Sequence, residues 1–289
     1  MAVTYELMKS VTAQLYRASL RKIPEDTKDA LRRAETHDTN ETARKTLRVM
    51  LRSAEAAEGQ QRFVCSDAGI PVYVVKIGTL VRFEGDIRKA ISDGFDELVR
   101  TSDPPLLQHV TNPLTLERGY RGKDVPIVTF DLVDGADHVE ITCSPKALGS
   151  GRWAALEIFS FPSLETIEKY IIEVVLRAGS QPCPPVVIGV GIGGTFDYAA
   201  KLAKEAMLRP FGQKNAEPIV ADMEERLLRA VNTTGFGPMG TGGDSTAMAV
   251  HVNYAAGHGF TPVAVEFNCW INRRTRARIF NSGQVEFFE

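Results

Sequence analysis

Long apolar runs are missing from this chain. No stretch of about 18 uninterrupted apolar residues occurs in the 289 residues, which argues against a membrane-spanning helix. The start, Met1-Ala-Val-Thr-Tyr-Glu-Leu-Met-Lys9, has no basic stretch leading into an apolar core, so no secretion signal is expected and a cytoplasmic protein is predicted. An excess of one charge is missing too. The 34 Lys and Arg nearly balance the 36 Asp and Glu, for a net charge of −2, and the signs are interspersed. That removes the reason to expect nucleic acid or an anionic membrane as a partner. Cysteine is scarce, with Cys65, Cys143, Cys183 and Cys269 the only four, and no compact metal-ligand spacing such as C-x-x-C is present. A disulfide framework is not expected in a long chain without an export signal. Four buried, unconnected thiols are the plain reading, since free cysteine is among the most buried residue types. A metal site would have to be assembled by the fold from distant segments. Internal repeats and low-complexity segments are also absent.

What is present is ample core material, 44% apolar, in a length that suits one large or two ordinary domains. Residues 1–60 read as a helical region. Leu7, Val11, Leu15 and Leu20 recur near helical period, Pro24 opens a second helix, and Thr39-Asn-Glu-Thr starts a third with cap-type residues. Its arginines and glutamates read as a solvated face. From residue 61 the pattern turns to mixed strands and helices. The expected domains are therefore an N-terminal helical region, 1–60, and an α/β region, 61–289, forming one continuous globular unit. The fold class is mixed α/β (α+β), with sheet layers and helices following the helical start.

Val72, Tyr73, Val74 and Val75 form a strand after a turn that holds Cys65 and Asp67. Asp67 is either half of a site pair with Cys65 or a cap on the turn. Residues 85–99 read as a helix, followed by a long polar loop carrying Arg118, Arg121 and Lys123. Arginine there suits planar recognition of a carboxylate, though an ordinary basic surface loop reads the same. Residues 127–133 and 138–143 alternate and read as two strands of a hairpin, joined by Asp-Gly-Ala-Asp. Pro145 to Arg152, including Gly149, reads as a glycine-bearing loop. Ser163-Leu-Glu-Thr-Ile-Glu predicts a helix opened by a capping box. A further helix covers 217–232, a glycine-rich loop 235–246, and strands 247–254 and 262–267, with His258 in their connection. His258 and Cys269 would stand at opposite ends of one strand, at most roughly 30 Å apart, or nearer if the connection folds back. Residues 272–279 suggest a last strand with its arginines on the exposed face.

The most marked stretch is Cys183-Pro-Pro-Val-Val-Ile-Gly-Val-Gly-Ile-Gly-Gly-Thr195: a cysteine, a short apolar strand, a glycine turn, and then a helix from Phe196 to about Leu208. Gly189-Val-Gly-Ile-Gly-Gly194 matches the G-x-G-x-x-G dinucleotide pattern after a strand and before a helix. The acidic residue expected about twenty positions on is missing, so a small-anion site at the helix start fits better.

Three segments, Cys65-Ser-Asp-Ala-Gly-Ile-Pro-Val-Tyr-Val-Val-Lys-Ile-Gly78, the Cys183 stretch, and Pro262-Val-Ala-Val-Glu-Phe-Asn-Cys-Trp-Ile-Asn-Arg-Arg274, resemble the class I fumarate hydratases and L-tartrate dehydratases. The resemblance is to their α subunit, or the N-terminal part of the single-chain forms, over nearly the whole chain. It implies an oxygen-sensitive 4Fe–4S cluster held by Cys65, Cys183 and Cys269 on loops converging from three segments, with one iron not bound by protein. A small dicarboxylate of fumarate/malate or tartrate type would be hydrated or dehydrated. Asp67 and His258 would be the catalytic and substrate-contacting residues. Arg118 or Arg121, and Gly149, would line the substrate site. The interval from His258 to Cys269 is one residue shorter than in the family, and only Gly149 remains of the family's glycine triplet, which puts the substrate's identity in doubt. Four thiolates would saturate a cluster, so Cys143 discriminates between lyase and electron-transfer or structural roles. A β subunit, in an α2β2 assembly, would supply the remaining basic residues and the base. The alternative from another class is a degenerate cluster- or nucleotide-binding subunit without catalysis.

Overall fold

Apolar residues at helical period occupy most of the first sixty positions, and β-branched runs take over from Val72. The computed structural model, which describes residues 2–288, follows that change as a mixed α/β fold. In chain order the elements are β1 (Val3–Thr4), α1 (Tyr5–Arg21), α2 (Glu25–His37), α3 (Glu41–Gly59), β2 (Val72–Gly78), β3 (Phe83–Glu84), α4 (Ile87–Thr101), β4 (Val110–Thr111), β5 (Arg118–Gly119), β6 (Ile127–Val133) and β7 (His138–Cys143). There follow α5 (Leu148–Gly151), β8 (Ala155–Ser160), α6 (Leu164–Ala178), β9 (Val186–Gly193), α7 (Phe196–Met207), α8 (Pro218–Thr233), β10 (Ala247–Ala255), β11 (Phe260–Asn268), β12 (Thr275–Phe280) and β13 (Val285–Phe288). No helix among the described residues is long and apolar enough to cross a membrane.

The chain divides into two compact units. The first comprises Met1–Pro24, Ala54–Ala147 and Arg273–Glu289. Its sheet runs β13-β12-β7-β2-β6. Tyr73, Val75, Val139, Ile141, Ala277 and Ile279 from the central strands pack with Met8, Leu15 and Tyr16 of α1 and with Ile91, Phe95 and Leu98 of α4. The hairpin expected of residues 127–143 does not form. β6 pairs in parallel with β2, and β7 pairs antiparallel with the other edge of β2. The Asp-Gly-Ala-Asp link therefore crosses the end of β2 instead of closing a turn. Gly78 makes the crossing possible, because a Cβ there would stand 2.1 Å from Ala136 O. Leu80 N–H then donates to Ala136 O at 3.0 Å. Local spacing cannot reveal a partner that arrives from fifty residues upstream. The long polar loop after α4 holds a small hairpin of its own, β4 with β5.

The second unit comprises Glu25–Ser53 and Leu148–Asn272. Its sheet runs β10-β9-β11-β8, with β9 parallel to β10 and antiparallel to β11. Alternation along β9 sorts its two faces. Val186, Ile188 and Val190 join Val263, Val265 and Phe267 against α6 and α8. On the other face Gly189 and Gly191 meet α7, where an added Cβ would lie 2.1 Å from Ala203 O and 2.0 Å from Ala199 O. These two glycines thus sit inside the strand and serve close helix–strand packing. Only Gly193 and Gly194, at φ +82° and +64°, form the turn, so the dinucleotide pattern does not become a phosphate-binding loop.

Ser163 caps α6, accepting from Thr166 N–H at 3.1 Å. The residue at the third helical position is Thr166, not the glutamate of a capping box, and its hydroxyl lies 2.9 Å from Ser163 Oγ. The expected loop at 145–152 contains the single helical turn α5. The arginines before β12 are not on an exposed face, for Arg273 and Arg274 are 4% and 2% exposed.

Candidate functional site

In the second unit, Cys183 and Cys269 sit at the same end of the sheet, just before β9 and just after its antiparallel neighbour β11. The Trp270 N–H donates to Cys183 O at 3.1 Å, which ties the two cysteine segments together. Cys183 holds a left-handed φ of +59°, as do Met239 and Asn272 at +52° and +40°. Non-glycine residues adopt this region at a cost, and such positions gather at functional sites. Met239 N–H reaches Pro184 O at 2.9 Å, so all three lie in segments that meet near Cys183. The Cys269 turn closes through Asn272 N–H to Cys269 O at 2.9 Å. Buried side chains lock it: Asn268 Nδ2 donates to Asn272 Oδ1, and Asn272 Nδ2 to Thr27 Oγ1, each at 3.1 Å. Trp270 packs on Leu31, Leu47, Met50 and Leu51. This asparagine lock escaped the sequence reading. Its only signal was Asn-x-x-x-Asn bracketing a cysteine.

Gly149, expected at the substrate, lies beside Cys183. A Cβ on it would stand 3.8 Å from Cys183 Sγ and 3.0 Å from Gln181 O. Its lack of a side chain therefore leaves no Cβ against that thiol. His258 is placed differently. It is exposed in the bend between β10 and β11, and a Cβ on neighbouring Gly257 would be 3.5 Å from Gly194 N. β11 runs unbroken from there to Asn268 and is paired with β9 along its second half. The two alternatives for this histidine thus resolve to the longer one. His258 is a strand's length, roughly 30 Å, from Cys269 and Cys183.

In the first unit, Cys65 is half-buried in the turn ahead of β2. Asp67 Oδ1 accepts from Gly69 N–H at 3.0 Å, so the turn-capping role is real. Gly69 needs its φ of +73°, and a Cβ there would be 2.8 Å from Lys146 O. Ile70 and Lys146 exchange backbone hydrogen bonds of 3.0 and 2.9 Å, and the Tyr16 hydroxyl donates to Gly69 O at 3.0 Å. The turn is thereby fixed from both sides. His109 stands beside it, with Nε2 3.0 Å from Ser66 O and 4.0 Å from Asp67 Oδ1. Nothing in the sequence of its loop sets this histidine apart, since the neighbouring arginines carry the stronger signal. Arg121 is ion-paired with Asp96 of α4, whereas Arg118 is exposed in β5 and has no ion pair among the described residues.

Cys143 is wholly buried on β7, opposite Tyr73 of β2 and Thr275 of β12. Burial pushes its thiol well above the ordinary range, against hydrogen bonds from Tyr73, Ser19 and Thr275. A thiol held protonated in the core is a poor metal ligand. The other three cysteines are partly exposed. No group of three His, Cys, Asp or Glu side chains among the described residues is arranged to hold a single metal ion. A cubane makes a different demand, because each thiolate binds a separate iron and the ligands need not converge on one point. The donor set fits a three-cysteine cluster: soft thiolates, two of them in neighbouring segments, and the fourth thiol withdrawn into the core.

Comparison with known proteins bears on this arrangement. The family described as Fumarate hydratase (Fumerase) matches residues 9–278. A protein of Methanocaldococcus jannaschii named "Putative L(+)-tartrate dehydratase subunit alpha" is 35% identical over 279 residues, covering 94% of this chain and 97% of that protein. "L(+)-tartrate dehydratase subunit alpha" of Escherichia coli strain UTI89 is 31% identical over 266 residues, covering 89% and 86%. The same-named protein of strain K12 is 31% identical over 261 residues, covering 88% and 84%. Matched along almost its entire length, the chain belongs to the fumarate hydratase (Fumerase) family.

Proposed function

We propose that this chain is the α-type subunit of an iron–sulfur hydro-lyase that adds water to, or removes it from, a small dicarboxylate. The observation that carries the reading is the pairing of the Cys183 and Cys269 segments at one sheet end, with Gly149 beside Cys183, in a chain of this family. Cys65, Cys183 and Cys269 would hold a 4Fe–4S cluster, leaving Cys143 aside. When bound, a cluster with one iron free of protein ligands supplies a Lewis acid for the leaving hydroxyl.

The chain's own residues do the rest. Asp67, oriented by Gly69 N–H, would contact a substrate hydroxyl or exchange its proton. His109 holds the neighbouring peptide and stands within electrostatic reach of that carboxylate. Arg118 offers a planar fork to a substrate carboxylate, a role closed to Arg121 while it is paired with Asp96. Gly149 leaves room beside Cys183. His258, the other catalytic candidate, is separated from Cys183 and Cys269 by the length of β11.

The substrate is of fumarate/malate or tartrate type. The names of the similar proteins favour tartrate. Those names, each a "subunit alpha", also support a second polypeptide as partner, which we take to be a β subunit supplying the base. The nucleotide-binding alternative loses its main support with Gly189 and Gly191 buried against α7. Anaerobic co-expression with the partner followed by iron and sulfide analysis tests the proposal. The wild type should carry a cluster and dehydrate a 2-hydroxy dicarboxylate, Cys183→Ser should lose both, and Cys143→Ala should keep both. Full iron content in Cys183→Ser would refute the ligand assignment.

A further inference from the structure

Arg273 is 4% exposed, and its Nε, Nη1 and Nη2 are all buried without a hydrogen-bond partner. A guanidinium cannot escape this by losing its proton, and a buried unpaired charge costs several kcal/mol, an order of magnitude taken from broken ion pairs. Among the described residues no carboxylate forms an ion pair with it. The charge acts on the Tyr16 hydroxyl and the Cys143 thiol, but burial raises both groups, so both stay neutral. Asp67 acts on the same Tyr16 hydroxyl and makes no ion pair with Arg273. The neighbourhood is nonetheless informative. Tyr16 is the residue whose hydroxyl donates to Gly69 O and so fastens the turn carrying Cys65 and Asp67. Arg273 also follows Cys269 by four residues, directly after the turn closed by Asn272.

We propose that the Arg273 guanidinium is the permanent counter-charge of the cluster anchored by Cys65, donating hydrogen bonds to its sulfur. This rests on the cluster reading above. A three-thiolate cubane is anionic, and it stays in place between turnovers. A substrate carboxylate would leave the buried charge orphaned after every release. A cation donating to cluster sulfur stabilises the more negative, reduced state and slows loss of iron, for charge and hydrogen bonds to sulfur are what set cluster potentials.

The test compares the full chain, co-expressed with its partner, as wild type, Arg273→Met and Arg273→Lys, each with and without cluster. With cluster, Arg273→Met should show a lowered midpoint potential and iron loss to a chelator about 10- to 100-fold faster, the range typical of groups that support metal ligands. Arg273→Lys, which keeps the charge, should fall between. Without cluster the order should invert, and Arg273→Met should melt at or above the wild type because an unpaired charge has gone. An unchanged potential and iron-loss rate in Arg273→Met overturns the proposal, as does a raised KM with an unchanged potential, which would assign Arg273 to substrate. A cluster-free Arg273→Met that melts below wild type, or fails to fold, also overturns it by showing that the chain already supplies the anion. Wild type that binds no iron refutes the cluster reading itself, a result distinct from each of these.

Discussion

Asp67 caps its turn, and the catalytic role proposed for it would be a second job that the sequence presents as a rival. One oxygen caps the turn at Gly69, two residues from the half-buried Cys65. The two functions separate on substitution. Asp67→Asn keeps an acceptor for Gly69 N–H, so unfolding should shift by no more than about 0.5 kcal/mol, as at sites without core or cap loss. Activity of the cluster-loaded assembly should fall about 10²- to 10⁴-fold, the usual contribution of a proton-transferring side chain. Denaturant titration beside steady-state kinetics checks the pair, and a loss of stability matching the loss of rate would leave Asp67 merely structural. At this scale the sequence was legible in the strands and turns that carry Cys183 and Cys269, whose segments meet through Trp270 N–H and Cys183 O. It was illegible where the surroundings decide. Nothing in Asn272-Arg-Arg-Thr distinguishes a buried guanidinium from a solvated one, and His109 becomes notable only when its loop comes to rest against Ser66.

Elements were read well wherever one face dictates them. The apolar period of α1, the Ser163 cap of α6 and the β-branched run of β2 all form as expected. Pairing was read badly, because it belongs to two segments at once. β6 and β7 look like a hairpin until β2 inserts between them, and the glycines of β9 look like a phosphate loop until α7 covers them. That covering is a sharp constraint. Gly191→Ala would drive a methyl to 2.0 Å from Ala199 O, which is backbone and cannot rotate away. The cost should reach at least the upper part of the roughly 1–3 kcal/mol range for overpacking, with α7 displaced from the sheet. Thermal melts and hydrogen exchange on α7 would register it, and an alanine variant as stable as wild type would contradict this packing.

At the scale of the whole molecule, alkaline pH should be the weak flank. Cys143, Tyr16 and Tyr73 all have raised folded-state values, chiefly from burial. Each contributes stability fully below its unfolded value, near 8.5 for cysteine and 10 for tyrosine, and loses it as pH climbs above that. Cys143 titrates first in the unfolded chain, so stability should decline from about pH 8.5 at up to roughly 1.4 kcal/mol per pH unit. Cys143→Ala should be less stable at neutral pH, having lost buried volume, yet should show no decline until about pH 10. Urea unfolding of the cluster-free chain across pH 7–10 would show the crossover, and parallel declines in the two proteins would exclude Cys143 as its source. The first unit also has an unusual order of assembly, since its sheet needs β12, supplied by the segment beginning at Arg273. A nascent chain emerging from the ribosome presents β7 with its outer edge unpaired, and the fully buried Ala277 and Ile279 arrive only after the whole of Leu148–Asn272 has been made. Until then that edge is open to any other strand, so translation that stalls or truncates before residue 273 should yield aggregation-prone polypeptide, and holding chaperones have their longest window on the N-terminal half.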